Sequence, residues 1–228
     1  MISLLAIVLT IIIYVLAKRL YGRFKWIVFS PIILTPLVIM FILKETHISY
    51  DAYKNNVSII NLLLGPATVA FAIPMYKSFH LLKKYRMEII LSVTAGTVIA
   101  VFSSLLLAIL FHLQDFLVHS IVPRSITTPI AMDVSKTLGG DPSVTVLFVI
   151  LTGIAGATIG PILIRFLALR SSIAKGLLMG VAAHGTGTAK AFEFGQLEGT
   201  FSSLAMISTA IITIILSQTF IPLLFNLL

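Results

Sequence analysis

The sequence predicts an all-α polytopic membrane protein, with about six full spans and two Gly/Thr-rich broken or re-entrant segments that form an inverted repeat. Three observations predict it. Hydrophobic residues make up 58% of the 228 positions and charged residues 11%, and mean hydropathy is +1.10, a composition that belongs to transmembrane helices. Lys and Arg cluster between apolar runs. A polar, Gly/Thr-rich motif also interrupts the apolar chain twice, 60 residues apart.

The spans follow in order. Met1–Ala17 is apolar and ends at Lys18-Arg19. A secretory signal carries its positive charge before the apolar run and a small-residue cleavage site after it, so this run reads as a retained first helix. Trp26–Leu43 is a second span containing Pro31 and Pro36, and Lys44–Asn56 is a polar loop of mixed charge. Val57–Tyr76 is a third, interrupted by Gly65-Pro66 and Pro74; Glu88–Phe111 is a fourth. Val144–Ile164, rich in small residues, is a fifth, and Phe201–Leu228 is long enough to cross with tilt. Ile173–Ala183 is apolar but has only 11 residues, against ~20 for a crossing. Residues 1–228 read as a single integral membrane domain: two helices and a loop over 1–56, then a core over 57–228 with repeats around 87–142 and 147–202.

Net charge is +8, and eleven of the 16 Lys and Arg fall in Lys18–Lys25, Lys77–Arg86 and Arg165–Lys175. These stretches read as cytoplasmic loops and not as a nucleic-acid surface. With the N-terminus outside, the segment His112–Arg124 lies outside. Arg165–Lys175 then stays inside only if the first motif enters and returns on the outer face. By the same count the second motif enters from the inside, which makes the repeat an inverted one.

The first motif is Ser125–Gly140, SITTPIAMDVSKTLGG; the second is Gly185–Gly199, GTGTAKAFEFGQLEG. In register, Thr128 aligns with Thr188, Ala131 with Ala191, Asp133 with Glu193 and Gly139 with Gly199. The same offset aligns Ala95-Gly96 with Ala155-Gly156. Duplicated broken segments at bilayer depth point to a transport site. Backbone freed there is tolerated only where it is buried in protein or lines a polar cavity, and half-helix N-termini favour anions. Thr127, Thr128 and Pro129, with Gly185, Thr186, Gly187 and Thr188, suit that role: Gly permits positive φ, Pro removes a donor and Thr supplies hydroxyls. One copy alone would read as an ordinary kinked helix; the pair in register carries the functional reading.

Asp133 with Lys136, and Lys190 with Glu193, stand at i,i+3, where each pair can neutralise itself on one helical turn. Two readings stand for them. Either Lys190 binds substrate while Asp133 or Glu193 carries a coupling proton, or both are interfacial ion pairs. His184 is a candidate proton relay or a hydrogen-bonded spacer. The spacings Gly156–Gly160 and Gly176–Gly180 read as close helix packing. The sequence has no cysteine and no metal-ligand spacing. It also has no Ser/His/Asp set, and HGTGTAK lacks P-loop spacing. Neither an enzyme nor a bound cofactor or metal is expected.

Leu64–Lys77 (LGPATVAFAIPMYK), Pro123–Gly140 (PRSITTPIAMDVSKTLGG), Gly153–Pro161 (GIAGATIGP), Ala182–Glu193 (AAHGTGTAKAFE) and Glu198–Met206 (EGTFSSLAM) closely resemble the LrgB/CidB family. The resemblance covers nearly the whole chain and is weakest in the first 55 residues. It implies a multi-pass protein of the bacterial inner membrane, antiholin-like or holin-like, that acts with a small LrgA/CidA-type membrane protein. It further implies a link to murein hydrolase control, autolysis and programmed cell death. A plant relative moves glycolate and glycerate, and some bacterial pairs are implicated in pyruvate uptake. Taken with the motifs, the resemblance favours a component that transports a small monocarboxylate, as a homodimer or hetero-oligomer. The alternative is an antiholin-like regulatory subunit with no transport of its own.

Overall fold

A computed structural model describes residues 2–24, 27–70 and 72–225 of the chain. The expected span limits at Met1, Trp26 and Leu228, and Phe71 within the expected third span, lie outside the described residues. The described residues fold entirely as helices and their connections, in two units, Met1–Ala70 and Phe71–Leu228.

In the first unit α1 spans Ile2–Phe24, and Ser30-Pro31 opens α2 over Pro31–Glu45, with proline in the first turn where its missing N–H costs nothing. Ser49 caps α3 (Tyr50–Asn56), its Oγ accepting the Ala52 N–H. The Asn56 Oδ1 accepts a hydrogen bond from the Ser3 hydroxyl at 2.7 Å, and Tyr53 and Thr10 share one at 2.8 Å, which tie α3 to α1. Two short helices follow, α4 (Ser58–Leu62) and α5 (Leu64–Ala70).

The second unit begins with α6 (Ala72–Lys77) and α7 (Phe79–Lys84). Then come α8 (Arg86–Leu110), α9 (Asp115–Ile121), α10 (Thr128–Leu138), α11 (Pro142–Phe166), α12 (Ser172–Phe194) and α13 (Gln196–Phe225). Among the described residues four helices are long and apolar enough to cross a membrane: Ser3–Phe24, Arg86–Leu110, Pro142–Phe166 and Gln196–Phe225. Two of the six expected spans are not among them. Trp26–Leu43 yields the 15-residue α2, and Val57–Tyr76 divides into short helices, with Gly65-Pro66 in the first turn of α5 and Pro74 inside α6.

Unlike those of a water-soluble protein, these helices expose faces as apolar as the ones they bury. On α8 the buried face carries Val93, Thr97, Val101, Ser104 and Ala108, while Ile99 and Leu106 are 65% and 67% exposed. On α13 Ser202, Thr209, Thr213 and Ser217 are buried while Ile211 and Ile215 are exposed. Lipid can cover large side chains on the outside, while small and hydroxyl residues that permit close backbone approach share the inside with Ile89, Leu105, Phe201 and Ile221. The glycine spacings pack as expected. Gly156 and Gly160 of α11 face Ala183 and Met179, and Gly176 and Gly180 of α12 lie against the α13 backbone at Glu198 and Ser202.

Candidate functional site

Both motifs fold as interrupted helices. In the first, α9 runs into a 3-10 turn, Val122–Ser125, whose Pro123 leaves helical geometry at φ −83, ψ 15. Ile126 and Thr127 are extended, and Thr128-Pro129 opens α10. The interrupted segment therefore begins at Asp115, ten residues before the expected motif, and the stretch read as an outer segment, His112–Arg124, contains a helix. Gly139 ends α10 at φ +87, a left-handed cap suited to glycine. Near it the buried Ser120, Ser135 and Thr145 form a polar knot with the backbone of Asp141. The Thr145 Oγ1 lies 2.6 Å from the Ser135 Oγ and 3.0 Å from the Asp141 carbonyl, and the Asp141 N–H donates to the Ser120 Oγ at 2.8 Å. This knot locks α9, α10 and α11 together.

In the second motif the break falls inside α12, at Ala183 (φ −137, ψ 18) and His184 (φ 41, ψ −128). The expectation that Gly185 and Gly187 supply positive φ is corrected here: His184 carries it and both glycines are helical. Gly187 serves closeness instead, since a Cβ there would run into the Met179 carbonyl oxygen. The buried His184 ring holds its place through Nε2, 3.1 Å from the Val149 carbonyl of α11. The buried Thr188 donates its hydroxyl to the His184 carbonyl at 2.9 Å and meets the Ser202 Oγ of α13 at 3.0 Å.

The middle of α11 stands between the two breaks. A Cβ on Gly153 would meet the Thr186 Oγ1 at 2.8 Å and His184 at 3.1 Å, while the preceding Thr152 has its Oγ1 3.5 Å from Arg124 Nη1. The Arg124 Nε donates to the Ser104 hydroxyl of α8 at 2.8 Å. Arg124 and Thr152 line a cleft of about 460 Å³ whose other walls are apolar or glycine, among them Leu151, Gly156, Ile159 and Leu178.

The sequence-predicted residues distribute around this cleft without lining it. Thr127 and Thr128 are half-buried at the start of α10, and Pro129 is exposed. Gly185, Thr186, Gly187 and Thr188 form the first turn after the second break. Lys190 pairs with Glu193 at 2.6 Å. Among the described residues Asp133 and Lys136, at the same spacing, form no ion pair; Asp133 instead lines a separate groove of about 230 Å³ with Thr137, Ser217 and Gln218. Among the described residues no cluster of His, Asp and Glu could hold a metal ion. The charged residue that sequence reasoning missed is Arg124. It was legible only as a loop charge, although the 60-residue register sets it opposite His184.

Four apolar helices of membrane-crossing length among the described residues, and large apolar side chains exposed along them, define a multi-pass helical membrane protein, one whose polar motifs interrupt its helices. The chain belongs to the LrgB-like family, which it matches over residues 10–223. It is 47% identical over 213 residues to the uncharacterized protein YwbG of Bacillus subtilis (strain 168), covering 93% of this chain and 95% of that one. It is 38% identical over 211 residues to YxaC of the same strain, covering 92% of each. It is also 39% identical over 214 residues to the holin-like protein CidB of Staphylococcus aureus (strain Mu50 / ATCC 700699), covering 94% and 93%. No solved structure matches the chain.

Proposed function

We propose that this chain is a transport component for small monocarboxylates of the pyruvate, glycolate and glycerate kind. It acts as a single membrane domain in the bacterial inner membrane, with a small LrgA/CidA-type partner or a second copy of itself, and it is not an enzyme. The observation that carries this reading is the approach of both interrupted helices to the middle of α11: Arg124 beside Thr152, and His184 with Thr186 beside Gly153. Interrupted helices meeting at mid-span are the arrangement from which many carriers build a substrate site.

The inverted repeat belongs to this proposal and has two supports. The 60-residue register aligns Pro123 with Ala183 and Arg124 with His184, so both breaks fall at matching positions. The approach of Ser120 to Thr145 recurs as that of Gly180 to Ala205. In this mechanism the threonine hydroxyls and freed amides at Thr127, Thr128, Thr186 and Thr188 receive the carboxylate, Lys190 adds positive charge, and Asp133, Glu193 or His184 carries a coupling proton. Access alternates as the repeats move. Control of murein hydrolase activity and autolysis follows from the flux.

A second reading, an antiholin-like regulatory subunit, draws on the relatives named holin-like. Uptake of labelled pyruvate, glycolate and glycerate into proteoliposomes decides between them, with and without the small partner and a pH gradient. Saturable uptake that falls in Thr128→Val/Thr188→Val supports the carrier and its site. Normal uptake by a folded double variant removes the site assignment, and leakage of unrelated dyes without saturable uptake favours the regulatory reading.

A further inference from the structure

We infer that Arg124 is the anion-binding group of the cleft between the first helix break and α11, and that its ligand is a carboxylate bearing one negative charge and a short apolar body. Thr152 lies ten residues into the 25-residue α11, roughly 15 Å from one end and 21 Å from the other at 1.5 Å per residue. The Arg124 guanidinium beside it therefore sits far from either end of a span. Charge at such depth is costly unless paired, yet among the described residues no carboxylate pairs with Arg124.

Its two hydroxyl contacts, Ser104 at 2.8 Å and Thr152 at 3.5 Å, orient the group without neutralising it. They leave Nη donors of the planar fork for a ligand. A carboxylate matches that fork with two parallel hydrogen bonds. Among the described residues no second cation lines the cleft, and Leu151, Ile159 and Leu178 wall it. A second carboxylate on the ligand would lose its water with nothing to replace it. The site thus selects one charge and an aliphatic remainder.

This inference rests on the carrier reading for the ligand being cargo and places the carboxylate on Arg124 instead of on the threonines and Lys190; binding itself is tested apart from transport. The chain has no cysteine, so Ala155→Cys, one turn from Thr152 on the cleft wall, gives a single reporter in the full-length protein in lipid nanodiscs. Its reaction with a small water-soluble methanethiosulfonate is timed with propionate, succinate, propionamide, chloride or inorganic phosphate present.

Propionate is expected to slow the reaction strongly, and the others weakly. Adding Arg124→Gln should raise the propionate concentration needed by about 10- to 100-fold, the worth of one charge-assisted pair. Arg124→Lys should retain part of the protection, which covers a failure of the glutamine variant to fold. Equal protection by propionamide, succinate or chloride overturns the inference, as does protection indifferent to Arg124→Gln or a reporter that never reacts. Failure of uptake with Arg124-dependent protection intact sinks the carrier reading alone. Uptake that survives Arg124→Gln at normal rates sinks this site alone.

Discussion

Gly156→Ala should weaken the seam between α11 and α12 that holds the second break. A Cβ built on Gly156 lies 2.5 Å from the Ala183 Cβ and 3.3 Å from the Ala182 carbonyl oxygen. Neither Cβ has a rotamer through which to retreat, so the helices would have to part by about 0.9 Å to reach an ordinary 3.4 Å contact. Overpacking of this size costs ~1–3 kcal/mol. The assay is thermal unfolding of the detergent-purified protein, followed by loss of the monodisperse size-exclusion peak, where the midpoint should fall by several degrees. Gly22→Ala is the control: nothing lies within 4 Å of that position, and alanine gains ~1 kcal/mol of helix propensity over glycine. Gly156→Ala combined with Ala183→Gly removes the opposing Cβ, so most of the loss should return. A Gly156→Ala midpoint as high as that of Gly22→Ala, or a double variant no better than the single, would refute close packing at this seam.

Three further outcomes are expected, each read from the same unfolding midpoint. At an ordinary helical position alanine is favoured over glycine by ~1 kcal/mol; at residue 184, with φ 41, the order should reverse, His184→Gly outlasting His184→Ala by ~1–2 kcal/mol, and the usual order would mean that the break is not where the structure has it. Thr145→Val and Thr209→Val make one chemical change in two settings. The first strips a hydroxyl from three oxygens and should cost ~1–3 kcal/mol, while the second removes a buried hydroxyl without a partner and should be neutral or stabilising; clear destabilisation by Thr209→Val would show a bound water there. Lys190→Ala removes a bond to the half-exposed Glu193 side chain that is itself worth ~1 kcal/mol or less, so a folded variant that loses uptake would assign Lys190 a part in transport.

Much of the fold was legible because membrane helices announce themselves by length. The runs around 88–111, 144–164 and 201–228 became α8, α11 and α13 within a few residues. The glycine spacings were legible for a related reason: only closeness requires them, and a Cβ on any of the four would press on the neighbouring helix. The breaks were legible as composition but not as positions. Gly-Thr-Gly-Thr marks a place where a helix can be opened, whereas tertiary contacts select the residue that opens it. The His184 ring reaches the Val149 carbonyl of α11, a tether that no local pattern encodes. The positive φ falls on that tethered histidine, and the glycines stay helical.

Charge shows the same division between what spacing permits and what packing selects. Asp133–Lys136 and Lys190–Glu193 are the same i,i+3 pattern, and sequence reasoning had to treat them alike. The second pair closes, while the first stays apart and Asp133 lines the groove with Ser217 and Gln218 of α13. Arg124 is the sharper case. Its partners stand 20 and 28 residues away, on α8 and α11, so as sequence it is one more cation beside a polar stretch, indistinguishable from the residues that set loop topology. Only when α9 folds as a helix ahead of the break does Arg124 leave the expected loop and become a guanidinium without a carboxylate, seated on an apolar cleft. The residues that make the breaks are written in composition, but the charge that a ligand would meet is written in the contacts between helices.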